Sequence, residues 1–195
     1  MTRPPIVLAS TSPYRQELLQ RLRLPFEVHA PQVDETALPS EKPRDTALRV
    51  ARSKAANVAE RFAAAIVIGS DQTVDLNGTM LGKPHSHDAA LAQLQSLQGR
   101  TAVFYTALTV IGAAREQSDC VSTTVTFRNL PRAQLDAYLR ADQPYDCAGS
   151  AKIESLGIAL IERAESDDPT ALIGLPLIRL TSMLAAAGIE VLPST

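Results

Sequence analysis

Ser10-Thr11-Ser12-Pro13-Tyr14-Arg15 places three hydroxyls and an arginine where a short apolar run, Ile6-Val7-Leu8-Ala9, gives way to a helix start. Hydroxyls and free backbone N–H groups at a helix N-terminus form an anion site, and Arg15 adds a planar, permanently charged fork. Val33-Asp34-Glu35 sets two acids inside a proline-bordered loop. Gly69-Ser70-Asp71-Gln72 sets an aspartate directly behind a second apolar run, Ala65-Ile66-Val67-Ile68. A carboxylate buried there is costly unless a partner or a metal compensates it. Gly82-Lys83-Pro84 holds a cation between two stiffening residues, and Lys54 lies on a helix flank between Ala51 and Ala55. Taken together, the carboxylates Glu35 and Asp71 with the cations Arg15, Lys54 and Lys83 point to phosphate chemistry with a divalent metal. Mg²⁺ or Mn²⁺ prefers one or two carboxylates plus substrate phosphate oxygens, and cations then neutralise the remaining phosphate charge.

Other chemistries fit less well. The chain has no GxxxxGK[ST] loop, no GxGxxG turn and no GxSxG elbow, which argues against a P-loop enzyme, a dinucleotide fold and a serine hydrolase. His85-Ser86-His87 reads as two surface histidines beside a helix cap. Cys120 and Cys147 are too few for a disulfide framework and lack metal-knuckle spacing, so they read as small buried hydrophobes. The chain has 195 residues and a mass of 20.9 kDa, with 45% apolar and 21% charged residues, enough for one domain with its own core. With 19 basic and 21 acidic side chains the net charge is −2, which excludes nucleic-acid binding through a general basic coat. No stretch reads as a signal peptide or a membrane span, so no membrane partner and a cytoplasmic location are expected.

The elements that must position these residues follow from periodicity. Ile6 to Ala9 reads as a buried strand turning into a helix, with Ser12 as N-cap and Pro13 at the first helical position. Phe26 to Ala30 reads as a second strand, and residues 31 to 42 as a loop. Pro43 opens a helix with Leu48, Ala51, Ala55, Val58 and Phe62 at helical spacing. Ala65 to Ile68 is a buried strand, and Asn77-Gly78 signals a hairpin. Ser86 caps a helix bearing Leu91, Leu94 and Leu97 that Gly99 ends. Val103 to Ile111 and Val121 to Phe127 read as paired strands. Residues 131 to 141 are helical, Ile158 to Glu162 is a strand, and Leu177 to Ala187 is a final helix. The mixture of buried and alternating strands predicts an α/β fold with a mixed twisted sheet flanked by helices, in a single domain over residues 1–195.

Several of these stretches resemble the Maf nucleotide pyrophosphatases: Leu8-Ala9-Ser10-Thr11-Ser12-Pro13-Tyr14-Arg15, Val33-Asp34-Glu35, Ala51-Arg52-Ser53-Lys54-Ala55, Gly69-Ser70-Asp71-Gln72, Gly82-Lys83-Pro84 and Gly174-Leu175-Pro176-Leu177. The resemblance covers nearly the whole chain. It implies a metal-dependent hydrolase of phosphoric anhydrides that cleaves a nucleoside triphosphate between its α and β phosphates. It also implies two lobes around a cleft, as in the inosine triphosphate pyrophosphatases, and a homodimer. Carried over residue by residue, Asp71 matches the proton acceptor, and Ser10, Arg15, Glu35, Lys54 and Lys83 match the polar cleft. A Mg²⁺, Mn²⁺ or Co²⁺ ion near Glu35 and Asp71 would acidify the attacking water.

Within that family, Gln72 after the aspartate and Glu154 in Cys147-Ala148-Gly149-Ser150-Ala151-Lys152-Ile153-Glu154 resemble the branch that hydrolyses 7-methyl-GTP, keeping modified nucleotides out of nucleic acids. The dTTP/UTP branch typically has threonine and glutamine at those two places. Methylation at N7 makes guanine cationic, and Glu154 would accept its paired N–H donors, a contact worth roughly 1–3 kcal/mol of discrimination. Tyr14 would stack on the cationic ring for about 0.5–2 kcal/mol. The branch often has tryptophan where Tyr14 stands, so looser specificity is expected here. Two alternatives stay open: a dTTP/UTP pyrophosphatase, and a septum inhibitor acting in cell division by protein interaction.

Overall fold

In the computed structural model, which describes residues 3–113 and 115–192, the apolar run Ile6–Ala9 forms β1 with all four side chains buried. The outermost residues of the expected 1–195 domain lie outside the described residues. Burial on both faces is what a strand inside a parallel sheet requires. β1 pairs in parallel with β2 (Glu27–His29) on one side and with β3 (Ile66–Leu76) on the other. The two crossovers are α1 (Pro13–Gln20) and α2 (Pro43–Ala59). They cover opposite faces of the sheet. Ile6, Leu8 and Ile68 pack with Leu18 and Leu19 of α1, whereas Val7, Ala9 and Val67 pack with Ala55 and Val58 of α2. Strands that diverge to both sides of β1 open a crevice at its carboxyl end, where Ser10 follows Ala9. Ser12 caps α1 with its hydroxyl accepting from the Arg15 N–H, and Pro13 sits at the helix start.

The rest of the sheet is antiparallel. Asn77 and Gly78 both take positive φ, 53° and 84°, and close the hairpin from β3 to β4 (Thr79–Leu81). α3 (His87–Leu97) begins at Ser86, whose hydroxyl accepts from the Ala89 N–H. β5 (Thr101–Gly112) pairs with β3 and with β6 (Arg115–Phe127), and after α4 (Arg132–Asp142) comes β7 (Ile161–Ser166). α5 (Leu177–Ala186) returns to the first face beside Leu8 and Ile68. The strand order is β2-β1-β3-β5-β6-β7, with β4 paired to β3. This is the expected mixed sheet flanked by helices.

Two cores form at opposite ends of the long strands. Leu8, Leu18, Ile68, Leu180 and Leu184 make one, and Leu94, Phe104, Phe127 and Leu139 with α3 and α4 make the other. Between them β3 and β5 carry Ser70, Asp71, Thr73 and Thr106, all buried. A polar waist between two apolar lobes is where this sheet can hold a charged ligand.

Three expected boundaries move, the first being β6, which begins at Arg115 rather than Val121. β3 does not stop at Ile68 but runs on to Leu76, so Gly69-Ser70-Asp71-Gln72 is strand rather than the turn after one. Its polar side chains find partners on both faces, which replaces the apolar alternation that signals a strand. The strand expected over Ile158–Glu162 begins only at Ile161, because Leu156–Leu160 is a 3₁₀ turn. Gly157 turns so closely over Lys152 that an added Cβ would lie 2.4 Å from the Lys152 carbonyl oxygen. The remainder of β7 is exposed, so it lacks the apolar pattern that marked the wrong residues.

Candidate active site

The period of two along β3 sorts its polar residues into two walls. Gly69, Asp71 and Thr73 face α2. A Cβ on Gly69 would lie 2.4 Å from the Ala51 carbonyl oxygen and 2.7 Å from the Ala55 nitrogen, so the helix rests on bare strand backbone. That contact carries Lys54 directly over Asp71. The Lys54 ammonium lies 2.8 Å from Asp71 Oδ1 and 2.9 Å from Glu35 Oε1. The Lys54 side chain is only 6% exposed, so it is no solvated helix lysine. Thr73 donates its hydroxyl to the Pro43 carbonyl at 2.8 Å and pins the start of α2 to the same strand.

Glu35 is held in place by Arg49, a residue with no signal in the sequence. Arg49 Nη2 donates to the Thr36 carbonyl at 2.9 Å, and its guanidinium grips Glu41 through Nε and Nη2 at 2.7 and 2.8 Å. The Arg49 hydrogen bond holds the Glu41 carboxyl at a pKa of about 2, so this clasp stays ionised at neutral pH. Burial opposes the charge on Glu35, but Lys54, with Lys83 and Arg15 further off, outweighs it and keeps its pKa below the usual range.

Ser70 and Gln72 face the other way and bind the segment after β7. Ser70 Oγ donates to the Gly174 carbonyl at 2.9 Å, and Gln72 Nε2 donates to the Ala171 and Leu172 carbonyls at 3.1 Å each. Thr106 Oγ1 adds a bond to Ala171 at 2.8 Å. Arg15 Nε donates to the Gly174 carbonyl at 2.9 Å, the one hydrogen bond of that guanidinium among the described residues, which fixes its plane and leaves its Nη pair for an anion. Burial pushes the Arg15 pKa down, and Asp71 and Glu35 counter that effect. Gly174 has φ 124°, and a Cβ there would sit 3.5 Å from Arg15 Nε. Asp168, buried, accepts from the Thr170, Ile178 and Arg179 N–H groups and so anchors both ends of this wall.

All nine residues singled out from the sequence line one cavity of about 620 Å³. Ser10, Arg15, Glu35, Lys54, Asp71 and Lys83 supply its charged and hydroxyl groups. Tyr14, Gln72 and Glu154 line it as well, with Asp146 and Cys147, which sequence reasoning missed as lining residues. Burial raises the pKa of Tyr14, against a hydrogen bond from Lys152, and burial likewise raises that of Glu154. Of the paired histidines, only His85 is the exposed residue expected. His87 bonds Asp136 at 2.7 Å and the Tyr145 hydroxyl at 3.0 Å. Cys120 and Cys147 are half-buried free thiols, pushed by burial up to about 11 and about 12.

Among the described residues no group of three or more His, Cys, Asp or Glu could hold a metal. Glu35 and Asp71 converge on one ammonium, so their oxygens already approach a common point. That donor set, two hard carboxylates and no soft ligand, fits an ion of the Mg²⁺ kind that fills its other positions with water and phosphate oxygens. No helix among the described residues is long and apolar enough to cross a membrane.

Comparison with known proteins finds relatives over nearly the whole chain. A protein named 7-methyl-GTP pyrophosphatase from Polaromonas sp. (strain JS666) is 59% identical over 190 residues, 96% of this chain and 87% of its own. One of the same name from Cupriavidus metallidurans is 57% identical over 189 residues, covering 96% and 95%. A third, from Methylobacillus flagellatus, is 53% identical over 97% of this chain and 100% of its own. A solved HAM1 protein from Coxiella burnetii overlaps 66% of this chain and 75% of its own, with a TM-score of 0.46 and 17% identity, a partial likeness on which nothing below depends. The family described as Maf-like protein matches residues 5–187, and with nearly the whole sequence covered, this chain belongs to that family.

Proposed function

We propose that this protein is a nucleoside triphosphate pyrophosphatase that hydrolyses 7-methyl-GTP to 7-methyl-GMP and pyrophosphate, the activity for which its relatives are named. The observation that carries the proposal is the convergence of Lys54 on Asp71 and Glu35 inside a cavity that Arg15, Lys83, Tyr14 and Glu154 also line. A triphosphate laid along Arg15, Lys54 and Lys83 has its charge matched by fixed cations that need no rearrangement as the leaving group forms. Asp71 takes the proton of a water attacking the α phosphorus, and the pyrophosphate departs against the three cations. Ser10 lines the same cavity beside the helix start, its Oγ accepting from the Ser12 N–H and its O–H left to donate to a phosphate oxygen. Glu35 and Asp71 would hold a divalent cation of the Mg²⁺, Mn²⁺ or Co²⁺ kind. When bound it supplies Lewis-acid neutralisation of phosphate charge and a more acidic water.

At the base, Tyr14 stacks and the Glu154 carboxylate accepts the N–H donors of the guanine edge. Gln72 acts differently: its amide nitrogen is committed to the carbonyls of Ala171 and Leu172, so it shapes the wall that the nucleotide meets. We extend the reading to a cytoplasmic homodimer, as the family resemblance implies, and, from the balanced charge and the lack of a long apolar stretch, to a protein without nucleic-acid or membrane partners. The test is turnover of 7-methyl-GTP, GTP, dTTP and UTP by the wild type and by Glu154→Gln. The wild type is expected to prefer 7-methyl-GTP. The variant is expected to lose roughly ten- to a hundredfold in kcat/KM on that substrate alone, with unchanged circular dichroism. A wild-type preference for the pyrimidines, or full activity of Glu154→Gln, overturns the base assignment.

A further inference from the structure

The charges around the cavity fall into two groups. Arg15, Lys54 and Lys83 surround the carboxylates Glu35 and Asp71, leaving that group one positive charge in excess. The second group gathers about Tyr14. There the lining carboxylates Asp146 and Glu154 face the single nearby cation Lys152, an excess of one negative charge. Lys152 is itself tied down, with Nζ donating to the Asp142 carbonyl at 2.8 Å and interacting with the Tyr14 phenol. Asp146 and Glu154 both line the cavity. Asp146 is solvent-exposed and accepts from the Cys147 thiol at 3.5 Å; among the described residues Lys152 acts on it only at longer range, with no ion pair between them.

A cavity cationic at one group and acidic at the other complements a ligand that is anionic at its tail and cationic at its head. An ordinary nucleotide has a neutral base, which gains nothing from a carboxylate pair beyond its hydrogen bonds. We propose that Asp146 is a specificity-determining residue which, with Glu154, reads the positive charge of the base, so that the substrate class is triphosphates of cationic, N7-alkylated purines rather than guanine nucleotides by shape. This rests on reading the cavity as a nucleoside triphosphate site and adds a second carboxylate with a distinct role. Glu154 reads hydrogen-bond donors and charge together, whereas Asp146 acts through charge alone.

The experiment compares kcat and KM of the wild type and Asp146→Asn on 7-methyl-GTP, GTP and 7-methyl-7-deaza-GTP. The last carries the methyl group at the same place without the charge. The wild type is expected to treat 7-methyl-7-deaza-GTP like GTP. Asp146→Asn is expected to lower kcat/KM for 7-methyl-GTP about five- to tenfold through KM, with kcat held and both neutral nucleotides changed by less than about twofold. Turnover of 7-methyl-7-deaza-GTP equal to that of 7-methyl-GTP overturns the inference, as does an equal loss on all three. Release of no pyrophosphate from any of the three instead overturns the nucleotide reading beneath it.

Discussion

Asp71→Asn is expected to lower kcat for pyrophosphate release by about 10³-fold, within the range that a positioned general base supplies. The substitution keeps size and shape. Lys54 retains Glu35 as a partner at 2.9 Å, so the buried ammonium is not stranded and the fold should survive, with KM moving little. Steady-state kinetics and thermal melting on the same preparation check both halves. Retention of full hydrolysis removes Asp71 from the mechanism. The same variant addresses the cell-division alternative: if it loses hydrolysis yet still arrests septum formation when overproduced, an interaction role exists apart from the chemistry.

Gly69→Ala is the second large effect, and it acts on the scaffold. The added Cβ would meet two backbone atoms of α2, at 2.4 and 2.7 Å, and neither can move without the helix moving. Overpacking of this kind costs about 3 kcal/mol, which for a chain of this size lowers Tm by roughly 6–12 °C. The displaced helix carries Lys54 away from Asp71, so activity should fall even in the fraction that stays folded. A melt and a kinetic assay below the transition separate the two losses. An unchanged Tm would mean that α2 does not rest on β3 as described.

How much of this was legible in the sequence depends on what each residue does. Ile6–Ala9, the Ser12 cap with Pro13, the Asn77-Gly78 hairpin and the Ser86 cap carry their structure in local chemistry, and each lies where the pattern puts it. The nine cavity residues were named because charges beside buried strands need compensation, aided by the family resemblance. What escaped notice was long-range. Arg49 looks like any helix arginine until Glu41 and Thr36 arrive from the preceding loop. Ser70 and Gln72 look like turn residues until the 171–174 segment folds against them. Lys54 is legible as a phosphate-facing cation, but nothing local says that Gly69 lets α2 come close enough to bury it over Asp71. Asp146 gave no signal because its role depends on the segment that brings it beside Tyr14. The late strand was misplaced because β7, exposed along most of its length, lacks the apolar alternation on which strand recognition depends.

The central claim is that these side chains direct water to the α phosphorus. Hydrolysis of 7-methyl-GTP in water enriched in the heavy oxygen isotope, with the products resolved by mass spectrometry, tests it most directly. Attack at the α phosphorus predicts one heavy oxygen in 7-methyl-GMP and none in pyrophosphate. Label in the pyrophosphate, or release of inorganic phosphate with a diphosphate left behind, would contradict it.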